Sequence, residues 1–324
     1  MKKGEILRLK VEDLAHGGMG IAKIEGEVVF VKGGLPGDLM DAQVIKAKSS
    51  YSEARVLKLL QPSPHRIAPS CPHFGVCGGC KLQDLDYEAQ LSCKRRQVRA
   101  HLERIGGFSN PPVRKIIGSE KTYFYRNKME FTFSTLEGKP ILGLHKAGSF
   151  SQVFDLERCL LQSKLSNEIL TEVREFVRRK GLSVYDLKEH KGLLRFLTIR
   201  EGKLTGEVMV SIVTSRREFL QMSELAQELV EKFPHIASVF RIINPKKASI
   251  ALGEARLVWG RPSITEMING YSFSISPNSF FQTNPYQAEK LYLLVRDLSR
   301  LKGTETVFDL YAGTGSIGIF LAES

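Results

Sequence analysis

Alternation of apolar and polar residues shapes the first part of the chain. Ile6–Val11, Gly20–Ile24, Val28–Val31, Asp38–Lys46 and Ala54–Leu59 each read as a short strand, with turns at Gly17-Gly18, Gly26 and Gly33-Gly34. Short strands in so little chain bury a core by curling on themselves, so a small OB-like β-barrel is expected over residues 1–60. The proline-bearing stretch Gln61–Pro69 then reads as a linker.

Beyond it the period lengthens. From Asp84, Leu91, Val98, Leu102 and Ile105 recur at helical spacing until Gly106-Gly107 stops the run. Between Tyr123 and Trp259 the two periods mix. Tyr125–Ser134, Leu193–Arg200, Glu207–Val213 and Ala237–Ile243 predict strands, and Leu193–Val213 folds at Glu201-Gly202-Lys203 into a hairpin. Ser166–Lys180 and Arg217–Phe233 predict amphipathic helices. The pattern defines an α+β central domain over 61–270. Next come a helix over Pro285–Arg300, a strand over Glu305–Leu310, a glycine loop and a further helix start, as in the opening of a Rossmann-like α/β domain over 271–324. With so little sheet behind them, residues beyond about 285 are expected to pack poorly.

Composition adds a partner. The chain of 324 residues carries a formal net charge of +12, which favours a polyanion, with RNA or DNA ahead of a membrane surface. Arg95, Arg96 and Arg99 stand on the helix that follows Asp84, on a face that either meets solvent or meets RNA. No apolar run approaches a membrane span, and Met-Lys-Lys-Gly-Glu leads into no apolar signal core, so the cytoplasm is the expected compartment.

Two clusters carry chemistry. Cys71, Cys77 and Cys80 form C-x5-C-x2-C, and Cys93 and the distant Cys159 follow. In a reducing compartment such spacing points to a metal or redox role, and four thiolates suit a [4Fe–4S] cluster or a tetrahedral zinc. Three close cysteines and one distant one are commoner for clusters than for zinc. Gly75, Gly78 and Gly79 let the backbone bend around a bulky group, and Cys93 is left as a structural residue.

The second cluster is Gly313-Thr314-Gly315-Ser316-Ile317-Gly318, a G-x-G-x-x-G run after a strand. A dinucleotide would rest its pyrophosphate there, but Asp309 would set a carboxylate beside it. A cationic ligand without phosphates, such as S-adenosylmethionine, tolerates that carboxylate better. A purely structural glycine turn is the alternative.

Further segments carry a resemblance: Cys77-Gly78-Gly79-Cys80 with Leu82-Gln83, Tyr87, Gln90 and Lys94; Tyr125-Arg126-Asn127-Lys128; Thr205–Val210; Ser276–Asn284; and Asp309–Gly315. In these the chain resembles the RNA (uracil-5-)-methyltransferase family, which makes 5-methyluridine in ribosomal and transfer RNA. The resemblance implies a TRAM domain at residues 4–60 and a [4Fe–4S] cluster on Cys71, Cys77, Cys80 and Cys159. It further implies S-adenosylmethionine contacts from Gln282, Tyr311 and Ser316, beside Asp309, Gly313 and Gly315, and RNA contacts from Arg126 and Lys128. It also allows the helix near 85–106 to pack on the catalytic domain.

In the implied mechanism a cysteine thiolate adds to carbon 6 of uracil, carbon 5 takes the methyl group, and a glutamate base removes the proton. The chain has no cysteine after Cys159, so this nucleophile and base are expected C-terminal to Ser324. On that expectation no catalytic residue lies in the chain, its missing C-terminal portion is a partner, and the chain is inactive alone. The alternative is a non-catalytic Fe–S RNA-binding module.

Overall fold

Strand alternation in the N-terminal stretch does give a sheet. In the computed structural model, which describes residues 1–322, the strands are β1 (Ile6–Lys10), β2 (Asp13–Leu14), β3 (Gly20–Ile24), β4 (Glu27–Lys32), β5 (Leu39–Ala47) and β6 (Tyr51–Gln61). They lie in the order β1-β5-β6-β4-β3-β2, with β4 and β6 parallel and every other neighbour antiparallel. Leu9, Val11, Ala22, Val29, Val31, Met40, Ala42 and Ala54 fill its core.

The expected closed barrel is not formed. β1 and β2 stand at opposite edges of an open sheet with no ladder between them. Closure needs two edges able to pair along their length, and β2 offers only Asp13 and Leu14.

This sheet belongs to one of two compact units, Met1–Gly118; the other begins at Ser119. Within the first unit, α1 (Tyr87–Arg104) starts where the Asp86 side chain accepts the Ala89 N–H at 2.8 Å. The helical period is real, but its apolar side differs from the expected one. Leu91 and Cys93 are buried, whereas Val98 and Ile105 are exposed. Leu14, Leu35, Leu85 and Cys93 form a small core of their own. Beside it the fully buried Asp38 carboxylate accepts the Leu35 N–H at 2.7 Å, the Ser63 N–H at 2.8 Å and Arg66 Nη2 at 2.5 Å. Arg66 Nη1 also donates to Asp84 Oδ2 at 2.8 Å, fastening the end of the cysteine loop.

The second unit is built on seven strands: β7 (Lys128–Leu136), β8 (Lys139–His145), β9 (Val153–Asp155), β10 (Leu194–Glu201), β11 (Val208–Thr214), β12 (Ile236–Ile243) and β13 (Glu254–Gly260). Their order is β13-β12-β11-β10-β7-β8-β9, with only β11 and β12 parallel. The β10–β11 hairpin forms as expected. On one face α2 (Lys164–Arg179) and α3 (Met222–Lys232) bury Ile169, Val173, Phe176, Leu225 and Leu229 against Phe131, Leu197, Ile199, Val210 and Ile212. Both faces of β10 and β11 are buried, so these strands are nearly continuous in apolar residues.

On the opposite face lie the hairpin β14 (Ile264–Ile268)–β15 (Tyr271–Ile275), α4 (Pro285–Ser299) and α5 (Ser316–Leu321). Ala288 and Tyr292 of α4 and Phe320 of α5 join Met209, Phe240, Ile264, Phe273 and Phe281 in one core. The expectation of poor packing beyond 285 therefore fails for one side of α4 and for α5, although Leu291, Leu294 and Leu298 stay exposed.

The predicted strand over Glu305–Leu310 is absent among the described residues, and Phe308 and Leu310 are exposed. A strand exists only through its ladder, and no described strand lies beside this segment to hydrogen-bond it. The expected start of a Rossmann-like sheet is thus not present in the described residues.

Candidate functional site

The glycine loop turns because Tyr311, Gly313 and Gly315 all take left-handed backbone, with φ of 63, 60 and 71°. Only glycine does so without strain. A Cβ placed on Gly315 would meet nothing within 4 Å, so the space above the loop is open. Asp309 sits beneath the start of α5, where its Oδ2 accepts the Gly318 N–H at 3.3 Å. A carboxylate thus already occupies the positive end of the helix, which leaves the loop better suited to a cationic ligand than to a pyrophosphate. Ser316 is buried, and its hydroxyl donates to the Tyr292 hydroxyl of α4 at 2.9 Å. Tyr311 is wholly exposed.

The segment Ser276–Asn284 is pinned from below. Asn127 is buried, its N–H donates to the Thr283 carbonyl and its Nδ2 to the Gln282 carbonyl, each at 2.9 Å. Arg200, fully buried on β10, donates from Nη2 to the Ser279 carbonyl at 2.7 Å. Burial pulls the Arg200 pKa down to about 10, against the opposing pull of Glu130. Asn284 accepts the Gln287 N–H at 3.2 Å and so caps α4. With its backbone held this way, the Gln282 side chain is exposed. Phe281 packs on Phe273 with ring centroids 5.5 Å apart, while Phe280 is exposed.

Asn127, Arg200 and Tyr292 were not among the expected site residues. Asn127 alone carried a signal, since it lies inside Tyr125-Arg126-Asn127-Lys128. An arginine in an apolar strand and a tyrosine on a helix face carry none.

In the first unit Cys71, Cys77 and Cys80 share one loop and are partly exposed. Burial pushes the Cys77 thiol up, and the neighbouring Cys80 and Cys71 push it further, while the Gly79 N–H, 3.4 Å from its sulfur, opposes them. Three soft donors that repel one another as thiolates, with a backbone N–H turned to one sulfur, have the chemistry of a thiolate metal site. Among the described residues no three His, Cys, Asp or Glu side chains converge closely enough to hold an ion. Cys159 lies in the second unit and is buried, its N–H donating to Asn167 Oδ1 at 2.7 Å.

The basic candidates differ in how far they are engaged. Arg96 is committed to Asp13, with Nη2 at 2.9 Å from Oδ1. The exposed Arg95 donates to the Val113 carbonyl at 3.1 Å and the half-buried Arg99 to Asn110 Oδ1 at 3.1 Å. Lys128 pairs with Glu130 at 2.7 Å, and Arg126 Nη1 lies 3.1 Å from Met129 Sδ. No helix of the described residues is long and apolar enough to cross a membrane.

Residues 1–57 match the family model described as the TRAM domain. An uncharacterized RNA methyltransferase of Halalkalibacterium halodurans is 36% identical over 324 residues, covering 100% of this chain and 70% of the relative. One of Bacteroides thetaiotaomicron is 38% identical over 327 residues, covering 95% of this chain and 72% of the relative. The crystal structure of Pyrococcus abyssi tRNA (uracil-54, C5)-methyltransferase in complex with S-adenosyl-L-homocysteine superposes with a TM-score of 0.76 at 29% identity, over 98% of this chain and 71% of that one. The relatives matched along nearly the whole chain are RNA methyltransferases, which gives the class of enzyme. The chain belongs to the RNA (uracil-5-)-methyltransferase family.

Proposed function

We propose that the protein serves S-adenosylmethionine-dependent methylation of carbon 5 of a uridine in ribosomal or transfer RNA. The likeness to the Pyrococcus abyssi enzyme over 98% of this chain carries the reading. When bound, the cofactor supplies an electrophilic methyl group. The chain's own residues would hold it: the Asp309 carboxylate would serve its cationic end, Gly313 and Gly315 leave the approach open, and Gln282, Tyr311 and Ser316 would supply the remaining contacts. Asn127 and Arg200 act behind them as positioning residues, fixing the backbone of Ser276–Asn284. Arg126, Lys128, Arg95 and Arg99 are assigned to RNA. Arg96 is assigned there only as far as its bond to Asp13 opens.

None of the 5 cysteines is assigned as the nucleophile. Cys71, Cys77 and Cys80 are assigned to a [4Fe–4S] cluster, with Cys159 as fourth ligand on the sequence pattern, and Cys93 is buried beside Leu85. Such a cluster supplies structural support to its loop.

Calorimetric titration with S-adenosylhomocysteine tests the cofactor assignment: binding is expected, and its absence overturns the reading. Anaerobic purification tests the cluster. A brown protein with matching iron and sulfide is expected, and a colourless one holding stoichiometric zinc overturns it.

A further inference from the structure

A cavity of about 260 Å³ opens in the second unit, away from every residue assigned above. Its floor is the sheet, through Thr132 of β7, His145 of β8 and Phe196 of β10. Its rim is three loops, residues 146–152, 185–191 and 244–250, represented in the lining by Ser151, Tyr185, Lys188 and Ser249.

This rim is built rather than loose. Arg195, 3% exposed, donates from Nη1 to the carbonyls of Asn244 at 3.0 Å and Lys246 at 2.6 Å, and from Nη2 to that of Ala248 at 2.7 Å. Its guanidinium also lies 4.4 Å from the Tyr185 ring centroid. One buried side chain on β10 thereby ties two rim loops to the floor. Among the described residues Arg195 Nε and His145 Nδ1 find no hydrogen-bond partner although buried, while His145 Nε2 meets Thr132 Oγ1 at 3.1 Å. Unmet polar atoms this deep are costly unless something else serves them.

The mouth has a different chemistry. Lys146, Lys188, Lys246 and Lys247 are exposed on the three loops, and Phe150 stands 97% exposed between Ser149 and Ser151. The exposed Asp186 carboxylate also lines the mouth, where it accepts the N–H groups of Lys188 at 2.7 Å and Glu189 at 2.8 Å within its own loop, so the four lysines outweigh Asp186 and Glu189 on these loops. Walls that mix hydroxyls with Phe133, Val184 and Phe196, with Lys188 at the mouth and further lysines and the exposed Phe150 on the same loops, suit a ligand with a planar base, hydrogen-bonding edges and a phosphate on either side. An apolar ligand would strand the polar walls, and a bare phosphate would leave the rings unused.

We infer that this cavity receives one unstacked nucleotide of the RNA, with Phe150 stacking beside it and the rim lysines on the flanking phosphates. The inference rests on the RNA reading proposed above. The test uses the full chain and a fluorescently labelled single-stranded oligouridylate, whose anisotropy reports binding. Ser249→Trp, which fills the mouth from an exposed position, and Phe150→Ala are each expected to weaken binding about tenfold, the loss of one stacked base. Lys246→Ala with Lys247→Ala is expected to lower the slope of log affinity against log salt by about 1.4. Crosslinking with 4-thiouridine in the strand is expected to label the three rim loops.

Wild-type binding by Ser249→Trp and Phe150→Ala, or crosslinks confined to other segments, overturns the inference while leaving the RNA reading intact. Failure of the wild-type chain to bind the strand at all overturns both. Equal competition by polyglutamate also overturns it, since it marks the rim as a docking site for an acidic peptide.

Discussion

The Ser316 hydroxyl donates to the Tyr292 hydroxyl at 2.9 Å, with both side chains buried. The bond joins the first residue of α5 to the middle of α4, so the glycine loop is carried by a helix that is packed on the sheet. Tyr292→Phe keeps the ring contact with Phe320 and removes only the acceptor of the Ser316 proton. We expect a loss of about 1 kcal/mol in stability and a several-fold weaker binding of S-adenosylhomocysteine. Thermal unfolding and calorimetry measure the two; unchanged affinity would detach Ser316 from the cofactor.

Asp309 distinguishes a charged role from a purely structural one. Asp309→Asn keeps an oxygen for the Gly318 N–H but removes the negative charge. If the carboxylate faces the cationic end of the cofactor, affinity drops by about tenfold while the melting temperature holds. A fall in both together would make Asp309 only a cap for α5.

Arg66 is the test of the first unit. Arg66→Met leaves the fully buried Asp38 carboxylate with two backbone N–H groups and no cation. Breaking a buried pair is costly, and Arg66 keeps some access to water, so a loss of about 2 kcal/mol is expected. Hydrogen exchange at the Leu35 and Ser63 amides reports it, and Arg66→Lys should recover part of the protection.

Glu207 gives the pH dependence. Burial pushes its carboxyl up, but the Arg261 guanidinium at 2.8 Å and the Thr265 N–H at 2.8 Å prevail and hold it below its ordinary value of 4.5. A carboxyl lowered in the folded state binds fewer protons there than in the unfolded state. Its contribution is therefore complete above 4.5 and is lost as pH falls through the lowered value. In Glu207→Gln the second unit should unfold with a flatter pH dependence in that acid range, and an unchanged slope would refute the assignment.

Local pattern made some elements legible and not others. The β10–β11 hairpin and α2 show in the sequence because their periodicity and turn residues lie within a short window. The closed barrel could not be settled that way. Alternation says that a strand has two faces, but whether β1 meets β2 depends on edges set by the whole sheet. Glu305–Leu310 reads as a strand for the same reason and lacks the neighbour that would make it one. The candidate site divides similarly. Asp309, Gly313 and Gly315 stand in one motif, whereas Arg200, Asn127 and Tyr292 reach the same region from three separate elements. The rim loops of the cavity are polar and aperiodic, so only folding brings Ser151, Lys188 and Ser249 around it.

Tyr311 combines a wholly exposed ring with left-handed backbone, and it follows the exposed Phe308 and Leu310. To a protease these residues are a bait sequence: accessible, outside any helix or strand, and bearing the side chains that chymotrypsin prefers. Limited digestion should nick the chain here first. S-adenosylhomocysteine seated against Tyr311 should slow that cut without slowing cuts elsewhere, which makes the loop a reporter of its own occupancy.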